Sequence, residues 1–156
     1  MTSFGENSVN NAPTWWRISK AGLMALALST SLRTDFPDAV ARTKAALAGQ
    51  GFGVLTEIDM AATLKAKLGH DMENYLILGA CNPPLAHRAV GIDRQIGLLL
   101  PCNVVVRADP SDDTRVIVEA MNPQILVEVT GEPELRGVAD EVTTKLQAAI
   151  GSLADG

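Results

Sequence analysis

Residues 75–107 read YLILGACNPPLAHRAVGIDRQIGLLLPCNVVVR, and this stretch decides the fold. Tyr75 to Cys81 is a short run with Tyr75, Ile77, Gly79 and Cys81 on one face and Leu76, Leu78 and Ala80 on the other. Both faces being apolar, it reads as a strand inside a sheet. Asn82 and Pro83 then start a helix: an asparagine side chain accepts a first-turn N–H, and proline at the first helical position forfeits no bond. That helix carries Leu85, Ala86, His87 and Val90, and Gly91 to Gly97 reads as a loop. A further apolar run, Leu98 to Arg107, contains Pro101, which cannot donate to a ladder and marks an edge, a bulge or a strand start.

Outward from this centre the signals alternate. Downstream, Asp109-Pro110-Ser111-Asp112-Asp113 is a turn and Thr114 to Ala120 a returning strand, which makes a hairpin. Asn122-Pro123 repeats the cap-plus-proline start for a short helix ending near Gly131. Pro133 opens the last helix, whose Leu135, Val138, Val142, Leu146, Ala149 and Ile150 form a clear amphipathic stripe. Upstream, Leu26, Leu28 and Leu32 alternate with small and polar residues as a strand does. Thr34 or Asp35 caps a helix with Phe36, Val40, Thr43 and Leu47 at helical spacing, stopped by Gly49 and Gly51. Phe52 to Ile58 is another strand, and Asp59 caps a helix with Leu64 and Leu68 inward, Lys65 and Lys67 in solvent and Gly69 at its end. The order predicts a single compact α+β domain, with a mainly antiparallel sheet of about five strands covered by helices.

A chain of 156 residues buries roughly 70% of its unfolded surface and needs no staple. The domain is expected over residues 22–151, after an N-terminal extension, Met1 to Ala21, that is partly disordered, and before a short tail over 152–156. In the extension, Trp15 and Trp16 break the polar pattern; two adjacent indoles are expected to pack on the domain or on a second copy of it, a membrane-surface or ligand role being the alternative. Arg17 and Lys20 before Ala21 to Leu28 loosely resemble a short secretory signal, but the alternation through Leu32 favours a strand. A net charge of −5 offers nothing to a phosphate backbone, so nucleic acid is not an expected partner. No apolar run reaches the ~18 residues that span a bilayer, so no membrane is expected either. Two cysteines make no disulfide framework, which places the protein in a reducing, cytoplasmic setting.

The chain lacks a phosphate-binding glycine loop, a Gly-x-Ser-x-Gly elbow, a Cys-x-x-Cys pair and a His-Glu-x-x-His helix. Gly51-Phe52-Gly53 precedes a strand and is a turn, not a dinucleotide site. What remains is Cys81, His87 and Cys102, flanked by Asn82 and Asn103, as a candidate ligand-binding set. Three readings stand side by side. In the first, both thiols are small core residues and His87 makes an ordinary hydrogen bond. In the second, Cys81, His87 and Cys102 hold a transition metal or cofactor with an open position, His70 being a remote fourth ligand. In the third, Cys81 is a nucleophile with His87 as its base, or Cys81 and Cys102 form a reversible disulfide, as in a thiol-dependent enzyme or redox protein.

Three motifs in order, Gly51-Phe52-Gly53-Val54-Leu55-Thr56-Glu57-Ile58-Asp59, Leu78-Gly79-Ala80-Cys81-Asn82-Pro83 with Ala86-His87, and Ile96-Gly97-Leu98-Leu99-Leu100-Pro101-Cys102-Asn103-Val104-Val105, resemble the domain-of-unknown-function 302 family of small bacterial and archaeal proteins. The resemblance runs from about Leu23 to Ile150. It implies a compact α+β fold, a homodimer and no established activity. The family pattern includes positions matching Cys81, His87 and Cys102, with no role attached to them. The extension, Met1 to Ala21, departs from the pattern. Taken together, the expectation is a cytoplasmic homodimeric domain that binds a small ligand, metal or cofactor near Cys81, His87 and Cys102. A thiol-dependent enzyme and a non-catalytic interaction dimer are the alternatives.

Overall fold

A computed structural model describes residues 25–154; the whole of the extension, including Trp15, Trp16, Arg17 and Lys20, lies outside the described residues. The chain forms β1 (Ala27–Leu32), α1 (Phe36–Gly49), β2 (Gly53–Asp59), α2 (Met60–Leu68), β3 (Tyr75–Cys81) and α3 (Pro83–Ile92). A 3-10 turn over Arg94–Leu99 leads to β4 (Cys102–Asp109), β5 (Asp112–Met121), α4 (Gln124–Thr130), a second 3-10 turn at Pro133–Leu135, and α5 (Arg136–Gly151). The strands lie in the order β1-β5-β4-β3-β2 and every neighbouring pair is antiparallel. This is the α+β domain with a five-stranded antiparallel sheet that the alternation predicts.

The pleat sorts the side chains. Leu78 stands opposite Val104, Ala80 opposite Cys102, and Val106 opposite Val118. These positions, with Leu32, Val116 and Ala120, are buried against Leu47 of α1, Leu85 and Ala89 of α3, Leu126 of α4, and Val138 and Leu146 of α5. The helices begin where their caps say: Asp35, Asp59 and Asn82 each accept an N–H three residues on. The opposite face of the sheet carries Tyr75, Ile77, Thr56, Val105, Arg107, Ile117 and Glu119 by the same register, and none of them joins the core. Arg107 and Glu119 pair there at 2.8 Å.

Four expectations are corrected. α2 packs on β2 and β3 but buries none of its residues; Leu64 is half-buried and Leu68 is 63% exposed, so the predicted inward stripe has no core to enter. The fourth strand starts at Cys102, because Leu98 and Leu99 belong to the 3-10 turn that replaces the expected loop. Pro133 opens that second 3-10 turn, and the last helix proper begins at Arg136. At the C-terminus Leu153 is 4% exposed and packs in the core, so the domain continues past Gly151 instead of giving way to a tail.

Candidate functional site

β3 and β4 are neighbours, and that alone brings the two cysteines together at one end of the sheet. Cys81 is the last residue of β3; Asn82 breaks the strand and caps α3, its Oδ1 accepting from the Leu85 N–H. The amide nitrogen of the same side chain lies over the α1–β2 turn, where a Cβ on Gly51 would stand 3.1 Å from it. Gly51 has φ +83° there, a conformation that favours glycine. The turn delivers Phe52, 3% exposed, under the end of β3. On the other side, Ile96 anchors the 3-10 turn in the core, Leu100 and Pro101 follow, and Cys102 opens β4.

Between these segments and the helices lies a pocket of about 40 Å³. Its wall is made by Phe52, Ala80, Cys81, Asn82, Leu85, Ala86 and Ala89 on one side and by Leu100, Pro101, Cys102, Leu126, Val138 and Val142 on the other. No residue of this wall is charged. Such a volume takes about three water-sized spheres, and apolar hollows of this kind stay dry and accept apolar guests. Burial, and secondarily the neighbouring Cys81, push the Cys102 thiol up to about 11, so it is protonated across the neutral range. Cys81 is the half-exposed thiol of the two.

The pocket thus gathers Cys81, Asn82 and Cys102 from the set singled out in the sequence, and leaves His87 and Asn103 outside. Leu85 and Ala89, four residues apart, share the buried face of α3; His87, two residues from each, falls on the far side and is exposed. Asn103 pairs with Gly79 one register position from Cys102 and is exposed. His70 is exposed after α2. Among the described residues no three His, Cys, Asp or Glu side chains converge where a metal ion could be held, so Cys81, His87 and Cys102 do not form the expected ligand set. Both thiols are free. Because Cys102 pairs with Ala80, Cys81 is one position out of register with it. Phe52, Leu126, Val138 and Val142 complete the wall, and nothing in their sequence pattern marks them as site residues. Their apolar spacing marks them as core, and only the strand order shows which end of the sheet they meet.

The sequence pattern described as Domain of unknown function DUF302 matches residues 28–153. A solved structure, described as an uncharacterized conserved protein DUF302 from Bacillus stearothermophilus, superimposes with a TM-score of 0.76 at 25% identity, covering 83% of this chain and 99% of that one. No curated protein matches the chain. The family pattern spans the sheet, the pocket and the covering helices from β1 to Leu153, and the chain therefore belongs to the DUF302 family.

Proposed function

We propose that this domain binds a small apolar ligand, or the apolar end of a larger one, in the pocket at the Cys81 end of the sheet. The observation that carries this reading is an uncharged hollow whose wall is assembled from six separate segments around two free thiols. A hollow lined by aliphatic side chains costs dispersion contacts on every wall, and a guest of matching size restores them. A group the size of an isopropyl fits the volume. The thiols add soft, polarizable contacts without adding charge.

The test is fragment binding followed by protein-observed NMR or thermal shift, with Ala86→Leu as the control. Ala86 lies in the wall at the half-buried side of α3, so the added branch fills the hollow. Apolar fragments are expected to bind the natural protein and to lose binding in A86L while the fold persists. Equal binding to both proteins overturns the reading. A second reading, covalent chemistry at Cys81, draws on a separate observation: of two thiols in one wall, the one at the strand end is accessible and the other is buried. Adducts with small electrophiles that map to Cys81 and are blocked by a bound fragment would favour it.

A further inference from the structure

We propose that the N-terminal segment bearing Trp15 and Trp16 docks in cis on the centre of the sheet face that no core helix among the described residues covers, over Ile77, Val105 and Ile117. Among the described residues, the helices of the core take one face of the sheet only. On the other face the register sets Ile58, Ile77, Val105 and Glu119 in one row and Tyr75, Arg107 and Ile117 in the next, with the Arg107–Glu119 ion pair between Val105 and Ile117. Ile58 is flanked by Ala62 and Ala66 of α2, whereas Ile77, Val105 and Ile117 on the inner strands are part-exposed and absent from the core. β1 bounds this patch with Ser29 and Ser31.

The chain outside the described residues starts beside this face. Asn122 holds the entry to β1: its backbone N–H donates to the Leu26 carbonyl at 2.9 Å and its side-chain amide to the Ala25 carbonyl at 2.9 Å. From Ala25 to Trp16 the chain spans up to about 30 Å when extended. The middle of β3 lies three strand spacings from β1, about 14 Å, and about 13 Å along the strand direction, hence roughly 20 Å away. The tryptophans reach the patch with slack. They are also the largest apolar side chains in a stretch that otherwise offers few partners, and two adjacent indoles left in water forfeit the burial that such rings give.

Tryptophan occurs only at positions 15 and 16, so tryptophan fluorescence of the full chain reports on this segment alone. Docking predicts emission shifted to the blue of a free indole and shielded from acrylamide. Val105→Lys and Ile117→Lys should each move emission to the red and restore quenching, with circular dichroism and melting showing the fold retained. Val105→Thr, nearly isosteric, repeats the test where the lysine variants fail to fold. Solvent-like emission in the natural protein overturns the proposal, as does blue-shifted emission that the variants leave unchanged. A blue shift lost on dilution, together with a halving of the mass by light scattering, also overturns it, because the indoles would then be buried against a second copy.

Discussion

Gly79 makes the sharpest demand of any position near the pocket. It lies on β3 opposite Thr56, two residues before Cys81, and a Cβ added there would run into the Thr56 hydroxyl and stand 2.8 Å from Cγ of Pro101. Carbon atoms pack best at about 3.5–4.0 Å, so the Pro101 contact alone is too close by about 0.7 Å or more. The threonine belongs to an edge strand and can turn aside, although its β-branch limits the choice of rotamers. The proline ring, fixed between Leu100 and the start of β4, has little room to yield. Gly79→Ala is therefore expected to cost about 2 kcal/mol, within the usual range for an overpacked site. For a domain of this length each kcal/mol lowers the melting temperature by about 3–5 °C. Thr56→Ala should relieve one of the two clashes. In a double-mutant cycle the pair should then couple by about 0.5–1 kcal/mol, leaving the Pro101 share unrecovered. Urea unfolding of the four proteins measures all of these. Gly79→Ala melting with the natural protein, or strictly additive costs in the cycle, would refute this close approach of β2, β3 and Pro101.

The remaining predictions concern the thiols, the hairpin and the core. Native protein treated with a thiol reagent near neutral pH should yield one reactive group, mapping to Cys81, and a second only on unfolding, because Cys102 is buried and protonated. The Cys102 thiol is raised from 9.0 to about 11 on folding, so its contribution is complete below pH 9 and lost as pH rises through about 11. The loss is on the order of 2–3 kcal/mol, and Cys102→Ala should flatten that part of the stability profile. Asp109 is lowered from 3.8 to about 2 by the Ser111 backbone and hydroxyl and by Arg115. Its contribution is present above pH 4 and fades as pH falls toward 2, so Asp109→Asn should lower stability at pH 7 and weaken the acid dependence in that interval. Leu78→Ala, at a fully buried position in β3, should cost about 2–5 kcal/mol by denaturant unfolding.

Period-two alternation and helix caps made most of the elements legible, because both signals are local. Asp35, Asp59 and Asn82 announce their helices through bonds that reach only three residues. Leu64 and Leu68 mislead because helical spacing reports an apolar stripe and not the presence of a partner; α2 packs against β2 and β3 but off the core. The 3-10 turn was hidden by Gly97, although Ile96 is among the best-buried side chains in the domain. The pocket was half legible. Cys81 and Cys102 meet only because β3 and β4 are adjacent, a fact of strand order that spacing does not encode. The exposure of His87, by contrast, follows from Leu85 and Ala89 already claiming the inward face of α3.

Strands β2 to β5 follow one another in both sequence and space, so each can pair as soon as its successor exists. β1 is different: its partner is β5, with all the other strands of the sheet between them in the chain. Of the five strands of the sheet it is made first and has to wait for the last one. Closing so long a loop carries an entropic cost that the local pairings avoid. Like β2 at the other edge, β1 has a neighbour on one side only and can leave while the rest of the sheet stays assembled. Amide exchange should find its hydrogen bonds to β5 open well before those between β4 and β5. The N-terminal segment is tied to this strand, so whatever the segment touches also bears on how firmly the sheet is shut.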